Sequence, residues 1–529
     1  MHEWWKGCVI YQIYPRSFQD TSGNGIGDLK GIIQRLDYIS NLGVDAIWLS
    51  PIFESPMKDM GYDVSNYQEI DPLFGDLDDF DLLLEKAHSL GLKVIIDQVL
   101  SHSSDQHPYF LESCLDSKNE KSDWYVWADP KEDGSPPNNW LSIFGGGGWE
   151  WDTSRKQYYL HNFLKSQPDL NYHNPNVRKW ILSIVEFWLK KGVDGFRLDT
   201  VNYYYHDSSL RDNPASERRE EILVNPYYMQ EHKYSINRPE NLEFIKKLRT
   251  LLDQYKDKMM VGEISNIDLQ AKYTSGEDKL HMAYSFELLR KDFSPSHIKD
   301  CLEHFYELAP NGYPCWSFSN HDVIRHVSRW SDFAYSPEDF AKLTAAILLS
   351  LRGSICIYQG EELGQLQTDI EFHELTDPPG IKFWPKDKGR DGCRTPMIWE
   401  GNKRLGGFSE SKSWLPIKKE QLQRSANSQI EDKNSVLSFY QKLIDFRKNN
   451  REFLEGELAF TFYDERSLVL KRTYKNTQTD CYFNLSKDDL EFDNISSQVD
   501  LTSIQNKARL KDKKLYLGPN GFAFLKVLT

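Results

Sequence analysis

"KGVDGFRLDTVN", residues 191–202, places an arginine and an aspartate inside what otherwise reads as a buried strand. Side chains of an extended chain alternate between faces, so over Val193 to Thr200 Arg197 and Asp199 share one face while Phe196 and Leu198 share the other. Upstream, Trp180, Ile181, Ile184, Val185 and Trp188 recur at helical spacing, and Gly192 stands where a helix C-cap belongs. The same design occurs twice earlier. Ile32, Leu36 and Ile39 precede Gly43 in "NLGVDAIWLS" at 41; Phe80, Leu83, Leu84 and Ala87 precede Gly91 in "SLGLKVIIDQ" at 89. Strand-like runs at 9 ("VIYQIYPRSF"), 259 ("MMVGEIS"), 282 ("MAYSFELL"), 314 ("PCWSFSNHD") and 354 ("SICIYQGEE") bring the count to eight. Eight strands alternating with helices predict an α/β fold, a (β/α)8 TIM barrel, with an open doubly wound sheet as the alternative. A nucleotide-binding enzyme on an open sheet is disfavoured, because no G-x-G-x-x-G or Walker-type loop is present.

The interval from Gly91 to Gly192 is about twice that from Gly43 to Gly91, which predicts a small domain inserted after the third strand. After the helix "SVLSFYQKLIDFRKN" at 435 the pattern changes to alternating runs such as "SLVLKRTY" and "FAFLKVLT", which predicts an all-β C-terminal domain. The expected division is barrel over 1–101 and 173–452, inserted domain over 102–172, and a C-terminal β-sandwich over 453–529. The Gly145–Gly148 run in the insertion is not a phosphate loop, since neither Lys-Ser nor Lys-Thr follows it.

The chain has 529 residues, 39% hydrophobic and 27% charged, with a net charge of -15. That charge argues against nucleic acid or an anionic membrane as partner. No apolar run approaches the roughly 20 residues of a membrane span, and the N-terminus lacks the zones of a signal peptide, so a cytoplasmic location is expected. Seven cysteines without C-x-x-C spacing predict reduced, mostly buried thiols, not a disulfide framework or a zinc site.

In a barrel, chemistry collects where strands end and loops begin. Four predicted strands end in polar groups: Asp97 then His102, Arg197 with Asp199, Glu263, and Asn320, His321 and Asp322. Any one alone is explained by a capped strand end or an ion pair. Four on one rim are not, because like charges converging on a low-dielectric site cost several kcal/mol. Such a rim fits glycoside cleavage, in which one carboxylate attacks the sugar and another donates the leaving-group proton.

The ordered set "DQVLSH", "GFRLD", "GE" and "NHD", with "GYDVSNY" early and "RDGCRTPM" late, resembles the α-amylase superfamily, glycoside hydrolase family 13, over essentially the whole chain. "QPD" followed by "LN" at 167–171 is similar to the signature of its oligo-1,6-glucosidase and α-glucosidase branch, and the sequence looks most like bacterial α-glucosidases acting on short α-1,4-linked sugars. The resemblance implies Asp199 as nucleophile, Glu263 as general acid/base and Asp322 as a stabiliser gripping two sugar hydroxyls. It implies that His102, Arg197 and His321 hold the same sugar ring, that Tyr62 stacks beneath it and that Phe144 joins the substrate contacts. Asp63 and Arg394 would pair to close the non-reducing end, making the enzyme exo-acting. Thr200 occupies a position that is often Val in α-1,6-cleaving relatives; its hydroxyl would bond the leaving sugar or a neighbour and favour maltose over isomaltose. The physical reading agrees: Arg197 supplies Asp199 with a counter-charge, and burial of Glu263 beside Asp199 favours the protonated acid.

Two departures stand out. Ser101 replaces the Asn that often precedes the first His of the family. The loop "DTSGNGIGDL" at 20 resembles the family's metal loop, with Asp20, Ser22, Asn24, the Ile26 carbonyl and Asp28 as ligands. With two carboxylates it would hold a structural Ca2+ or Mg2+ weakly, and a metal-free turn is the alternative. No cofactor is expected for catalysis. The polar segment from Tyr203 to Arg238 is long enough to cover the entrance as a lid. The expected partner is a small oligosaccharide or disaccharide, bound by a monomer or weak homo-oligomer. Competing readings are an oligo-1,6-glucosidase, a transglycosylase or isomerase of the sucrose or trehalose type, and a non-catalytic glucosidase-like domain; the last is disfavoured because all three carboxylates are present.

Overall fold

The computed structural model describes residues 3–217 and 224–528. Eight parallel strands close into a barrel: β1 (Val9–Ile13), β2 (Ala46–Leu49), β3 (Lys93–Gln98), β4 (Gly195–Leu198), β5 (Met259–Ile264), β6 (Met282–Ser285), β7 (Pro314–Trp316) and β8 (Ser354–Tyr358). Each neighbours the next in sequence, and β8 returns to β1. This is the barrel that the eight runs predict, and the open sheet is excluded.

The helix-glycine-strand rhythm has the local cause read from the sequence. Asp28, Asp76 and Asn174 cap helices Leu29–Leu42, Leu77–Ser89 and Pro175–Lys191 by accepting backbone N–H groups, and Pro175 starts the third helix where a missing N–H costs nothing. Gly192 ends that helix at φ 106°, a left-handed conformation costly for any residue with a Cβ. The apolar faces then seat on the barrel. Trp188 is fully buried, its ring 5.2 Å from both Phe53 and Phe80 and its Nε1 donating to the Tyr67 carbonyl at 2.8 Å. Burial of that one side chain contributes on the order of 3 kcal/mol.

Between β3 and helix Pro175–Lys191 the chain makes its long excursion, leaving and returning side by side at the His102–Asp169 bridge. The excursion carries a helix, Pro108–Leu115, and a three-stranded sheet of Trp127–Ala128, Gln157–Leu160 and Trp149–Asp152. The C-terminal strands are β9 (Glu457–Tyr463), β10 (Ser467–Tyr474), β11 (Thr477–Asn484), β12 (Leu490–Phe492), β13 (Val499–Lys511) and β14 (Lys514–Val527). All six are joined by antiparallel hydrogen bonding. The long β13/β14 hairpin makes the connection: one end of β14 pairs with β11 and the other with β12. Two buried arginines lie where these strands meet the barrel, Arg447 tying helix Val436–Asn449 to the barrel and Arg472 tying β10 to it. Arg447 donates to the carbonyls of Gly7, Leu349, Leu351 and Gly353, and Arg472 to those of Ser350, Phe453, Gly456 and Glu457.

All seven cysteines are free, and all but Cys114 are buried. Among the described residues no helix is long and apolar enough to cross a membrane.

Candidate active site

The opening stretch ends in a four-charge cluster at the C-terminal mouth of the barrel. Arg197, 1% exposed, lies opposite Asp97 on β3 and Val261 on β5 in the strand register. One of its terminal nitrogens donates to Asp97 Oδ1 at 2.9 Å and to Asp199 Oδ1 at 2.7 Å, and the other meets Glu263 Oε1 at 2.6 Å. Its guanidinium also lies 5.0 Å from the centre of the Trp48 ring, whose Nε1 donates to Asp97 Oδ2. Three buried carboxylates around one buried cation leave two formal negative charges, so not all can stay ionised. Burial, strengthened by Asp199 and Asp322 and opposed by Arg197, pushes the Glu263 carboxyl up to about 8. Burial likewise raises Asp97 to about 7 against the pull of Arg197, and the cluster titrates as a set.

Asp322 stands apart. Against the effect of burial, the His321 ring and the guanidiniums of Arg390 and Arg394 hold its carboxyl well below the usual range. Arg394 reaches Asp322 Oδ1 at 2.9 Å and donates to the His321 carbonyl at 2.7 Å. The expected Asp63–Arg394 pair does not form. Asp63 is fully buried, its oxygens accepting from the Ser55 hydroxyl and from the N–H groups of Lys58 and Asp59. Arg390 pairs instead with Asp59 at 2.8 Å, and also with Asp377 at 2.7 Å and Asp322 at 3.3 Å.

Thr200 follows the nucleophile candidate at φ 39°, ψ 47°, a left-handed conformation rare for a β-branched residue and costing on the order of 1–3 kcal/mol. The turn aims its backbone N–H at Glu263 Oε2 (2.9 Å) and its hydroxyl at Asp199 Oδ2 (3.1 Å). Of the two partners expected for this hydroxyl, the leaving sugar or a neighbour, the structure shows neighbours: Asp199, and Ser101 Oγ at 3.0 Å. Ser101 also contacts His102 Nδ1 at 2.9 Å, taking a place where an amide was expected. The His102 ring, neutral through burial, meets the Tyr62 carbonyl with Nε2 at 2.9 Å. Tyr62 stacks on His321 (ring centres 5.5 Å apart, planes within 4°), and its hydroxyl meets His321 Nε2 at 2.6 Å and Asp97 Oδ2 at 3.2 Å. His321 is held from behind by Gln12. Both histidines thus have both ring nitrogens engaged with the protein.

Phe144 lies half-buried under the Arg390 guanidinium, 5.0 Å from its ring centre, and 5.7 Å from Phe163, which in turn contacts His102 and Tyr203. Gly145 beside it has φ 86°, and a Cβ there would come within 2.6 Å of Phe383; Lys382 Nζ donates to its carbonyl. Of the segment from Tyr203 to Arg238, residues 218–223 lie outside the described residues. The rest is hydrogen-bonded to the inserted domain through Asn138–Leu210, Asn139–Asn213, Trp140–Arg211 and Asn225–Ile143 contacts.

The first loop is closed by its own backbone. Asp20 accepts from the N–H groups of Ser22, Gly23 and Gly25 and from the hydroxyls of Ser22 and Ser409. Asp28 accepts from Thr21 N and Oγ1 and from Gly31 N as a helix cap, while Asn24 Oδ1 accepts from Ile26 N. A carboxylate has about four lone-pair sites, and both carboxylates are filled by donors. As arranged, Asp20, Ser22, Asn24, Ile26 and Asp28 do not fit a cation. Dialysis against a chelator should leave Tm within about 1 °C of the untreated protein, measured by differential scanning calorimetry; readdition of Ca2+ or Mg2+ should not raise it.

Several groups of this site escape sequence reasoning. Asp59 and Arg390 each sit four residues before an alternative of the same type, Asp63 and Arg394, within the same motifs. Asp377 lies in an unpatterned loop, and Gln167, the first residue of "QPD", donates to Asp59 at 3.1 Å.

The sequence profile described as alpha amylase, catalytic domain, matches residues 12–456. A probable α-glucosidase of Rhizobium meliloti (strain 1021) is 54% identical over 494 residues, 92% of this chain and 90% of that protein. An oligo-1,6-glucosidase of Heyndrickxia coagulans is 39% identical over 532 residues, 93% and 94% of the two chains. The crystal structure of an α-glucosyl transfer enzyme superposes with a TM-score of 0.96 at 48% identity, covering 100% of both chains.

Proposed function

The chain belongs to the α-amylase family of glycoside hydrolases, and we propose that it is an exo-acting, retaining α-glucosidase releasing glucose from the non-reducing end of short α-1,4-linked glucosides such as maltose. One observation carries this reading: Asp199 and Glu263 are spanned twice by single residues, by the guanidinium of Arg197 and by the N–H and hydroxyl of Thr200. Double bridging supports the short spacing of a retaining enzyme, ~5–5.5 Å between carboxyls, over the ~6.5–9.5 Å gap that an inverting enzyme keeps for water.

In the first step an Asp199 oxygen attacks the anomeric carbon as the glycosidic C–O bond breaks, and Glu263 delivers its proton to the departing oxygen. The raised carboxyl of Glu263 suits it to arrive protonated. Esterification removes the Asp199 charge that helped raise Glu263, so Glu263 can then take a proton from water. The water oxygen bonds to the anomeric carbon, and Asp199 leaves as carboxylate. Asp322, held anionic by Arg394 and Arg390, faces the same site as an acceptor for sugar hydroxyls.

The Asp59–Arg390–Asp377 junction supports a pocket closed at one end, which admits a chain terminus and stops a chain running through. A time course with maltose, isomaltose, sucrose, trehalose and soluble starch tests this. Maltose should be turned over fastest, and starch should lose glucose without a fall in viscosity. Isomaltose turned over as fast as maltose would overturn the linkage, and rapid starch thinning would overturn the closed pocket.

A second reading, transfer of the glucosyl group to an acceptor other than water, is favoured by the aromatic cluster Phe144, Phe163, Tyr203 and Tyr227 beside the site and by the likeness to an α-glucosyl transfer enzyme. Trisaccharide accumulating at high maltose is its readout.

A further inference from the structure

Between the His102 ring and Asp199 run two hydroxyls in series. His102 Nδ1 is 2.9 Å from Ser101 Oγ, which is 3.0 Å from Thr200 Oγ1, which is 3.1 Å from Asp199 Oδ2. With Nε2–H directed at the Tyr62 carbonyl, Nδ1 is an acceptor. The chain therefore has an acceptor at each end, three contacts, and only two hydroxyl protons to serve them. One contact always lacks a proton, which leaves three arrangements. If the bare contact is the one between the hydroxyls, Ser101 serves His102, Thr200 serves Asp199 and the two are uncoupled; the other two arrangements are concerted orders. In one, Thr200 donates to Asp199 and Ser101 to Thr200; in the other, Ser101 donates to His102 and Thr200 to Ser101.

The charge on Asp199 decides between them. A carboxylate is a far stronger acceptor than a neutral imidazole nitrogen, and the first order prevails in the free enzyme. Once the sugar is attached, Oδ2 belongs to a neutral ester whichever oxygen formed the bond, and the second order becomes the better one. We propose that Ser101 and Thr200 are positioning residues forming a two-state hydroxyl relay that grips the Oδ2 oxygen of Asp199 before attack and releases it when the glucosyl-enzyme forms. The left-handed turn at Thr200 is what points the hydroxyl at Asp199. The proposal rests on Asp199 being the nucleophile.

The relay makes a kinetic prediction that a merely structural role for either residue does not. The value of kcat/KM for an aryl α-glucoside reports formation of the glucosyl-enzyme. Ser101→Ala and Thr200→Val should each lower it roughly 10-fold, the loss of one hydrogen bond to a charged group. The double variant should fall no further than the worse single one, because either change breaks the same relay. Hydrolysis of the trapped glucosyl-enzyme, followed by single-turnover kinetics, should change less than about 3-fold, since the grip is already released at that stage. Ser101→Thr and Thr200→Ser keep a hydroxyl and should restore kcat/KM. A double variant that falls by the product of the single effects, roughly 100-fold, would show Ser101 serving only His102 and would overturn the relay. So would single variants within twofold of the unmodified enzyme. Asp199→Ala, assayed alongside, separates the two levels: an active Asp199→Ala enzyme removes the nucleophile assignment, whereas additive relay variants with an inactive Asp199→Ala remove the relay alone.

Discussion

Asp199→Ala and Glu263→Gln should each lower kcat on maltose by a factor on the order of 10⁴ or more while the protein stays folded. Stability is spared because each change removes one carboxylate from a cluster that holds more negative charge than Arg197 can balance. Tm should stay level or rise. The two variants separate on a substrate with a good leaving group, such as a dinitrophenyl α-glucoside. Departure of that group needs no acid, so Glu263→Gln should still form the glucosyl-enzyme and stall there, while Asp199→Ala should do nothing. In the unmodified enzyme, activity should fall as pH rises through about 8, where Glu263 and the cluster around it lose their proton. That alkaline limb should vanish from glucosyl-enzyme formation in Glu263→Gln. Proton NMR of the first product should show α-glucose; β-glucose would sink the retaining mechanism.

Arg197→Met should be the most destabilising single change in the site. It removes the only cation in contact with Asp97, Asp199 and Glu263 among the described residues and leaves three buried carboxyls with no counter-charge. Breaking a buried ion pair in this way costs about 3–5 kcal/mol. The pH dependence identifies the cause. Burial already raises the Asp97 and Glu263 carboxyls above their unfolded values, to about 7 and about 8. Groups raised on folding stabilise most below the unfolded pKa and lose that contribution as pH rises through the folded one. Without the opposing Arg197 charge both rise further. Arg197→Met should therefore be least stable relative to the unmodified enzyme at pH 8 and recover most of the difference near pH 5. A Tm deficit that is the same at both values would point to lost packing against Trp48 instead. Asp97→Asn added to Arg197→Met should return part of the stability at pH 8, because it removes one of the stranded charges.

The barrel was legible because its signals are local and repeated. A helical face, a glycine at its end and a buried strand recur at "NLGVDAIWLS", "SLGLKVIIDQ" and "KKGVDGFRLD", and each glycine adopts the positive φ that its place requires. The charged face of β4 was legible for the same kind of reason: alternation puts Arg197 and Asp199 on one side, where they meet. The strand pairing of the C-terminal domain was less so, since alternating strands look alike whatever their partners, and the pairing of the two ends of β14 is a long-range matter.

What the sequence determined by itself, then, is whatever depends on neighbours along the chain: eight strands, their caps, the insertion between Gly91 and Gly192, and a ring of carboxylates at strand ends. What only the tertiary structure decided is which of several equivalent charges meet. "KDMGYD" offers Asp59 and Asp63, and "GRDGCR" offers Arg390 and Arg394; nothing in their spacing ranks them. The fold settles it through hydrogen-bond demand. The N–H groups of Lys58 and Asp59 take up Asp63 and leave Asp59 for Arg390. The same holds for Thr200: alternation alone turns its side chain away from the face of Asp199, whereas a left-handed turn delivers its hydroxyl to Asp199 and Ser101. A side chain's partner depends on which donors are already satisfied around it, and that inventory exists only once distant segments have been brought together.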